Sequence, residues 1–396
     1  MRLSNIRTRL ANTSFYLLFP GFFFYHCAIA GDFLPPVLGG FFGNISVLVY
    51  VSISLLNATR PLRNISLPAW IFFAILILIL FNSLSQYSLG NPRLLSKEVL
   101  VWSLSGLFFN AVCFMVASSM SIDNAARVLV PVSVLMALAV IGNVGDSGIF
   151  KLSDMRTANI ASYQGLARSL VAGMLLTAAY YSDKGFIVYS GIVFGLLALF
   201  LNGARTEFAV YFISIAVFYF FYSAASLRLA ISSFTFMLVI GFVARVLLDI
   251  LPKSRMFELA DISNSSSYKA RGEFLRFGVK QVSENLFFGN YGAYTEIGGI
   301  GSYPHNLLSA WLNLGLAGFS LFVILFATLW FEAMKGFHKH RSNPSFKVFF
   351  IFLIFTTVAV TAAKTYNYQL IGLTIGFYVA YNKTCRNSSS WGKWLT

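Results

Sequence analysis

The chain has 396 residues, of which 57% are hydrophobic, 17% aromatic and 11% charged. Soluble domains carry roughly a quarter charged residues. This composition, with a mean hydropathy of +0.72, therefore excludes an ordinary water-soluble protein. The net charge of +15 is not concentrated in a basic soluble module, so nucleic acid is not expected as a partner. The three cysteines have no spacing suited to a zinc site or a disulfide framework.

Apolar segments that could cross a bilayer follow one another along the whole chain. Each spanning helix needs roughly 20 mostly apolar residues. Windows of that size predict an all-α integral membrane protein with about twelve transmembrane helices in one domain, residues 1–396. The first segment continues into further spans, so it is not expected to be a cleaved signal peptide. The predicted spans are 13–30, 36–57, 67–84, 101–120, 125–143, 165–182, 185–203, 207–226, 229–251, 306–331, 347–363 and 366–382.

The distribution of charge along these spans predicts their orientation. Fifteen basic and three acidic residues fall on the side of the N-terminus, against fourteen basic and eleven acidic residues on the other side. Because basic residues are enriched in cytoplasmic loops, both termini are expected in the cytoplasm. His338 and His340 then belong to a basic cytoplasmic loop.

The longest outer segment, residues 252–304, is expected to carry an amphipathic helix at about 268–287. Five charged residues of this helix share one face, and one, Arg271, lies with the apolar stripe. A guanidinium on that face needs an anionic partner. The partner could be a carboxylate such as Glu207 or Asp249, or it could be a phosphate of a ligand. The charged residues are Lys269, Glu273, Arg276, Lys280 and Glu284, and the stripe is Phe274, Leu275, Gly278, Val279, Val282 and Leu286.

Two further arginines are predicted near the outer boundary. Arg205 lies in a very short outer turn at the start of the eighth span, where it could bind a phosphate or could be an ordinary interfacial arginine that reaches to water. Arg245 lies inside the ninth span, and pairing with Asp249 at i+4 could satisfy it.

His305 is the one histidine predicted at the outer boundary. Pro304 suits the first turn of a helix, which places His305 near a helix N-terminus. That position lowers the pKa of an imidazole and favours the neutral form, which can accept a proton. A structural role for an isolated histidine stays open.

Several catalytic signatures are missing from the sequence. There is no Asp-x-Asp pair, no glycine-rich phosphate loop, no His-Glu-x-x-His and no Gly-x-Ser-x-Gly. Apart from His26 and Arg245, no ionisable side chain is predicted well inside a span, unlike the usual pattern of ion-coupled transporters.

Three features in this order resemble the O-antigen polymerase and O-antigen ligase superfamily. They are an Arg in a short outer turn, Arg271-Gly-Glu-Phe-Leu275 on an outer helix, and Pro304-His305-Asn306 opening a span before Gly315-Leu-Ala-Gly318. The resemblance covers the twelve-span layout and is sharpest from about 200 to 320. One departure is that nine residues separate His305 from Gly315, whereas the ligase pattern has ten.

The resemblance implies a GT-C-like, inverting, metal-independent glycosyltransferase without a cofactor in the bacterial inner membrane. Its site would face the periplasm and use glycans carried on undecaprenyl diphosphate. Arg205 and Arg271 match arginines that hold the diphosphate, and His305 matches the histidine that acts on the acceptor hydroxyl. Further candidates for substrate binding are Arg245, Arg276, Asn306, Tyr291 and Tyr303, although the tyrosines also suit packing at the membrane interface.

The favoured function is O-antigen polymerase, which moves a growing chain to the non-reducing end of a lipid-linked repeat. The alternative is a ligase that transfers the chain to lipid A-core, and a third is a flippase or exporter for the same glycans. Membrane lipid is an expected partner, and a chain-length regulator protein is a further candidate partner.

Overall fold

The computed structural model of the chain describes residues 2–37, 41–57, 66–88, 97–145, 148–154, 163–223, 266–298 and 306–391. These ranges are almost entirely helical, and within them Val144 and Phe150 form an isolated bridge rather than a strand. In this part of the chain, seven helical segments are long and apolar enough to cross a membrane. The chain is therefore an all-α membrane protein. The count of twelve spans stays a prediction.

The helices follow the order of the predicted spans. They are α1 (Arg2–Tyr16), a π-helical turn (Leu17–Gly21), α2 (Phe22–Ala30), α3 (Phe41–Asn57), α4 (Leu67–Ser88), α5 (Lys97–Ala117), α6 (Ile122–Ile141), α7 (Lys151–Asp154), α8 (Tyr163–Tyr180), α9 (Gly185–Leu201), α10 (Arg205–Ser223), α11 (Ser266–Glu284), α12 (Thr295–Gly298), α13 (Leu308–His340), α14 (Pro344–Ala362) and α15 (Leu370–Trp391).

The first predicted span, 13–30, covers the end of α1, the π-helical turn and α2, and each of the others except the ninth overlaps one helix. The ninth, residues 229–251, lies outside the described residues, and so does Arg245. Two details of the prediction are wrong. The tenth span begins at Leu308 rather than 306, and it continues to His340, so that His338 and His340 lie in the last turn of a 33-residue helix rather than in a loop. Cations in a last turn stabilise the helix dipole, which favours this extension.

The contacts divide the chain into two compact units. Unit 1 comprises residues 1–49, 120–262 and 341–355, and unit 2 comprises residues 50–119, 263–340 and 356–396. In unit 1, α6, α8 and α9 pack against one another, and the π-helical turn packs on α8. Pro20 lies inside that turn and lacks the N–H that a regular helix would use.

In unit 2, the main contact is between α5 and α15, with α4 packed on α5 and α13. Glycines bring α5 and α15 close together. A Cβ on Gly372 would collide with the Asn110 carbonyl, and one on Gly376 would lie 2.7 Å from the Phe114 carbonyl oxygen. Small residues at such contacts are typical of helix pairs in membranes, where close packing replaces the hydrophobic driving force.

Candidate functional site

The helix α13 is broken near its N-terminal end, and the break is where the segment that follows α11 attaches. Gly315 has φ 66° and ψ −170° inside the helix. This conformation is essentially confined to glycine. A Cβ at Gly315 would also collide with the Phe287 carbonyl, so the residue is required for two independent reasons. The segment that approaches it, residues 285–294, is called the link below.

The link satisfies the backbone groups that the break exposes. The Leu316 N–H donates to the Leu286 carbonyl at 3.0 Å, and the Asn290 N–H donates to the Leu312 carbonyl at 2.6 Å. The Trp311 indole also donates to the Leu286 carbonyl, at 3.0 Å. Buried backbone groups must be paired, above all near hydrocarbon. The broken helix and the link are therefore stable together.

A buried asparagine on α13 forms a further hydrogen bond with the link. Asn313 is 1% exposed, and its Oδ1 accepts from the Gly292 N–H at 3.0 Å. Its Nδ2 donates to the Ser309 carbonyl at 2.8 Å. The end of α11 joins the same structure, since Asn290 Nδ2 donates to Gln281 Oε1 at 2.9 Å. The helix that carries Arg271 is thus fixed to the start of α13.

Arg271 lies on the half-buried side of α11, as expected, and its Nε is shielded from solvent. One face of α11, called the seam below, consists of Arg271, Phe274, Gly278 and Val282. Gly278 and Val282 are buried. Val282 packs with Tyr294 and Leu312. This i, i+3, i+7, i+11 spacing is that of one helix face.

The rest of the predicted apolar stripe does not pack on protein. Leu275, Val279 and Leu286 are 44%, 56% and 40% exposed. The reason is that α11 contacts α13 along one narrow seam. Exposed apolar residues beside the seam suit a helix that lies in the membrane interface.

The predicted charged face of α11 is confirmed for its described side chains. Glu273, Arg276, Lys280 and Glu284 are all exposed. Lys280 and Glu284 form a 3.9 Å ion pair with side chains 71% and 49% exposed. Such a pair contributes about 0.3–0.5 kcal/mol at most, so this face is solvated rather than structural.

Tyr291 is part of the core and not an exposed aromatic platform. It is 1% exposed, and Tyr294 is 2% exposed, which contradicts a role in stacking on a sugar. The prediction failed because the link folds inward over the broken helix. Burial raises the pKa of the Tyr291 phenol, while contacts with Ser103 and Tyr366 lower it, and the net shift is upward. Tyr291 therefore stays neutral near pH 7 and does not act as a base.

Neutral polar residues that were not predicted from the sequence form buried hydrogen bonds between the helices of unit 2. Asn110 on α5 donates to the Asn367 Oδ1 and carbonyl, both at 3.2 Å, and accepts from the Gly372 N–H at 3.1 Å. Ser309 on α13 accepts from the Tyr366 N–H at 3.1 Å. An asparagine inside each of two apolar runs could have indicated this contact. An unpaired amide is costly in hydrocarbon, so each asparagine needs a partner.

Asn306 has a structural role in the described region. Its Oδ1 accepts from the Leu308 N–H at 3.0 Å, and its carbonyl accepts from the Ser309 N–H at 3.0 Å. It therefore caps the helix, and its carbonyl side-chain oxygen is not available to a substrate. His305, which directly precedes it in sequence, and Tyr303 lie outside the described residues.

Arg205 belongs to unit 1, where the predicted short turn is confirmed. The turn spans three residues between α9 and α10, and Gly203 has φ 74°. Asn202 anchors the turn by donating to the Tyr163 carbonyl at 2.8 Å. Arg205 is half-buried at the first position of α10. Glu207, 2% exposed in the same first turn, is favoured there by the helix dipole.

Within the described ranges, no group of three or more His, Cys, Asp or Glu side chains is arranged to hold a metal ion. In comparisons with known proteins, no family model matches the chain, and no curated protein matches it.

Proposed function

We propose that the chain is a GT-C-like glycosyltransferase of the O-antigen polymerase type in the bacterial inner membrane. It would transfer a glycan chain from undecaprenyl diphosphate to the non-reducing end of a lipid-linked repeat at the periplasmic face, with inversion and without a metal. Both termini would lie in the cytoplasm.

One observation carries this proposal. The link attaches α11, which bears Arg271, to the broken start of α13, which begins three residues after His305 in the sequence. A phosphate ligand and a proton acceptor need fixed positions to act in one step, because effective concentration depends on geometry. A discontinuous membrane helix whose exposed backbone is buried by protein is also typical of substrate sites in membranes.

In the proposed reaction, the acceptor hydroxyl oxygen attacks the anomeric carbon of the donor glycan. The bond from that carbon to the diphosphate oxygen breaks, and its electron pair leaves with undecaprenyl diphosphate. The hydroxyl proton passes to His305. Arg271 stabilises the charge that develops on the diphosphate, which is usually the largest catalytic effect, and a role for Arg205 there stays a prediction. Proton transfer to His305 would contribute about 10²- to 10⁴-fold.

The corrected site is smaller than the sequence suggests. Tyr291 and Asn306 support the site without touching substrate, because one is buried and the other caps α13. Arg276, Arg245 and Tyr303 stay predictions.

The test uses purified full-length protein, synthetic undecaprenyl-diphosphate repeats and no added metal, with products separated by length. Wild type should form a ladder, and Arg271→Ala and His305→Ala should reduce transfer by about 10²-fold or more. Lys280→Ala is the matched control, since it removes a cation from the solvated face of the same helix. A ladder that survives in Arg271→Ala would contradict the assignment. Transfer only when lipid A-core is added would replace the polymerase by the ligase.

A further inference from the structure

A second feature lies in unit 1 and is independent of the proposed transferase. The helices α6, α8 and α9 enclose a cavity of about 190 Å³. Most of its wall is apolar, and Gly191 on α9 is exposed at its edge, so the cavity is a groove that opens at the surface of unit 1. Residues on all three helices line it, including Val130, Ser133, Met174, Thr177, Val188 and Gly191.

One polar atom in the groove lacks a protein partner. Ser133 is 6% exposed, and among the described residues its Oγ has no hydrogen-bond partner. A hydroxyl without a partner in apolar surroundings is costly, so a ligand that brings an acceptor would be favoured there. Thr177, by contrast, is satisfied within its own helix, where its hydroxyl contacts the Gly173 and Met174 carbonyls at 3.1 and 3.0 Å.

Two cations lie at one end of the groove. Arg127 precedes the lining residue Val130 by about one turn of α6, and it is exposed. Lys184 lies between α8 and α9, 5.7 Å from the ring centre of Tyr181, which also lines the groove. In the described ranges, no carboxylate approaches either cation within 4.0 Å.

Two carboxylates lie near this end of the groove. Asp183 forms a 2.5 Å ion pair with the buried Lys347. Asp123 lies one turn before Arg127 on α6, so these two charges largely offset each other. The three cations Arg127, Lys184 and Lys347 outnumber the two carboxylates by one, so the mouth of the groove keeps a net positive charge and favours an anion.

We propose that this groove binds one acyl chain of an anionic glycerophospholipid, with its phosphate on Arg127 and Lys184 and an ester carbonyl accepting from Ser133. An acyl chain matches the apolar wall of the groove. The ester carbonyl, just below the surface, is an acceptor for the Ser133 hydroxyl, and the negative headgroup matches the two cations. By the charge distribution of the sequence, this end of unit 1 faces the cytoplasmic leaflet, whose anionic lipids attract basic residues near the membrane.

The test compares binding of phosphatidylglycerol and phosphatidylcholine with identical chains to full-length protein in detergent, measured by native mass spectrometry. Wild type should bind phosphatidylglycerol about tenfold or more tightly than phosphatidylcholine. The double variant Arg127→Gln and Lys184→Gln should bind the two lipids equally. Equal binding by wild type would overturn the proposal, and so would an unchanged preference in the double variant.

Gly191→Leu tests the groove itself. A Cβ at Gly191 would have no heavy atom within 4 Å, so a leucine can enter the groove without a clash and should not lower the thermal midpoint. It should reduce phosphatidylglycerol binding by about tenfold or more by filling the volume that the chain needs. Gly272→Leu, also in open space but on α11, is the control and should bind as wild type. Retained binding in Gly191→Leu would overturn the proposal.

Discussion

Replacing Gly315 by alanine is expected to release the link from α13. Alanine either keeps φ 66° and ψ −170°, with its Cβ against the Phe287 carbonyl, or it straightens the helix and displaces the link. The first alternative costs about 1–3 kcal/mol of backbone strain before the clash is counted. In the second, the hydrogen bonds that Leu286 and Leu312 accept are lost.

The size of the effect follows from those hydrogen bonds. Besides the bond from Gly292 to Asn313, three join the link to α13 at the break, and each contributes about 0.5–1.5 kcal/mol net. Whichever alternative the protein adopts, the link should open more easily by about 2–4 kcal/mol, or roughly 30- to 1,000-fold in its opening equilibrium. Transferase activity should fall with it, because α11 would no longer be fixed to the start of α13.

Hydrogen–deuterium exchange read on peptides from residues 285–294 and 308–316 measures the opening directly. The amides of Asn290 and Leu316 should be protected in wild type and exchange faster by that factor in Gly315→Ala. Gly272→Ala is the matched control, since its Cβ enters open space on a helix and should stabilise by up to about 1 kcal/mol. Equal protection in wild type and Gly315→Ala would refute the role given to the link.

Three further predictions concern stability. Asn110→Leu should lower the free energy of unfolding by about 1–3 kcal/mol in a denaturation series, because it leaves buried backbone partners unpaired, and an unchanged midpoint would contradict this. Above about pH 10, wild type should lose thermal stability that Tyr291→Phe keeps. Burial raises the pKa of the phenol in the folded protein, so Tyr291 ionises first in the unfolded chain and that ionisation favours unfolding. Below that pH, the thermal midpoints of the two proteins should change with pH in parallel. Asp183→Asn should lower the free energy of unfolding by about 1–2 kcal/mol, because its partner Lys347 is buried although Asp183 is exposed. Glu284→Gln, in an exposed pair, should change it by less than about 0.5 kcal/mol. Similar values for both variants would show that burial of the lysine is irrelevant.

The membrane helices could be predicted because hydrocarbon imposes a local rule. The backbone N–H and C=O groups of a spanning segment must form hydrogen bonds within that segment, so long apolar runs become helices whatever their neighbours are. Helix ends follow other rules, and α13 runs past its apolar part to His340 because nothing before Arg341 ends it.

The break at Gly315 could not be predicted from hydropathy. Gly315-Leu-Ala-Gly318 continues the apolar run without interruption, and the sequence alone is compatible with an unbroken helix. The break depends on backbone partners supplied by Leu286 and Asn290, and hydropathy carries no information about them.

The site itself was partly predictable. Helical periodicity placed Arg271 on the half-buried side of α11, because that property depends on a single helix. Tyr291 was misassigned because aromatic residues at an interface and aromatic residues under a folded loop have the same sequence signal. The contact between Asn110 and Asn367 could not be predicted, because it joins positions 257 residues apart.

The central claim is that the chain forms glycosidic bonds at the expense of a lipid diphosphate. The most direct measurement gives purified full-length protein a synthetic undecaprenyl-diphosphate repeat and counts elongated glycan and released undecaprenyl diphosphate in the same reaction. The account predicts one molecule of undecaprenyl diphosphate released for each new bond, with both products lost in His305→Ala. No change in glycan length with either a lipid-linked or a lipid A-core acceptor would contradict it, as would movement of an unchanged repeat across sealed vesicles.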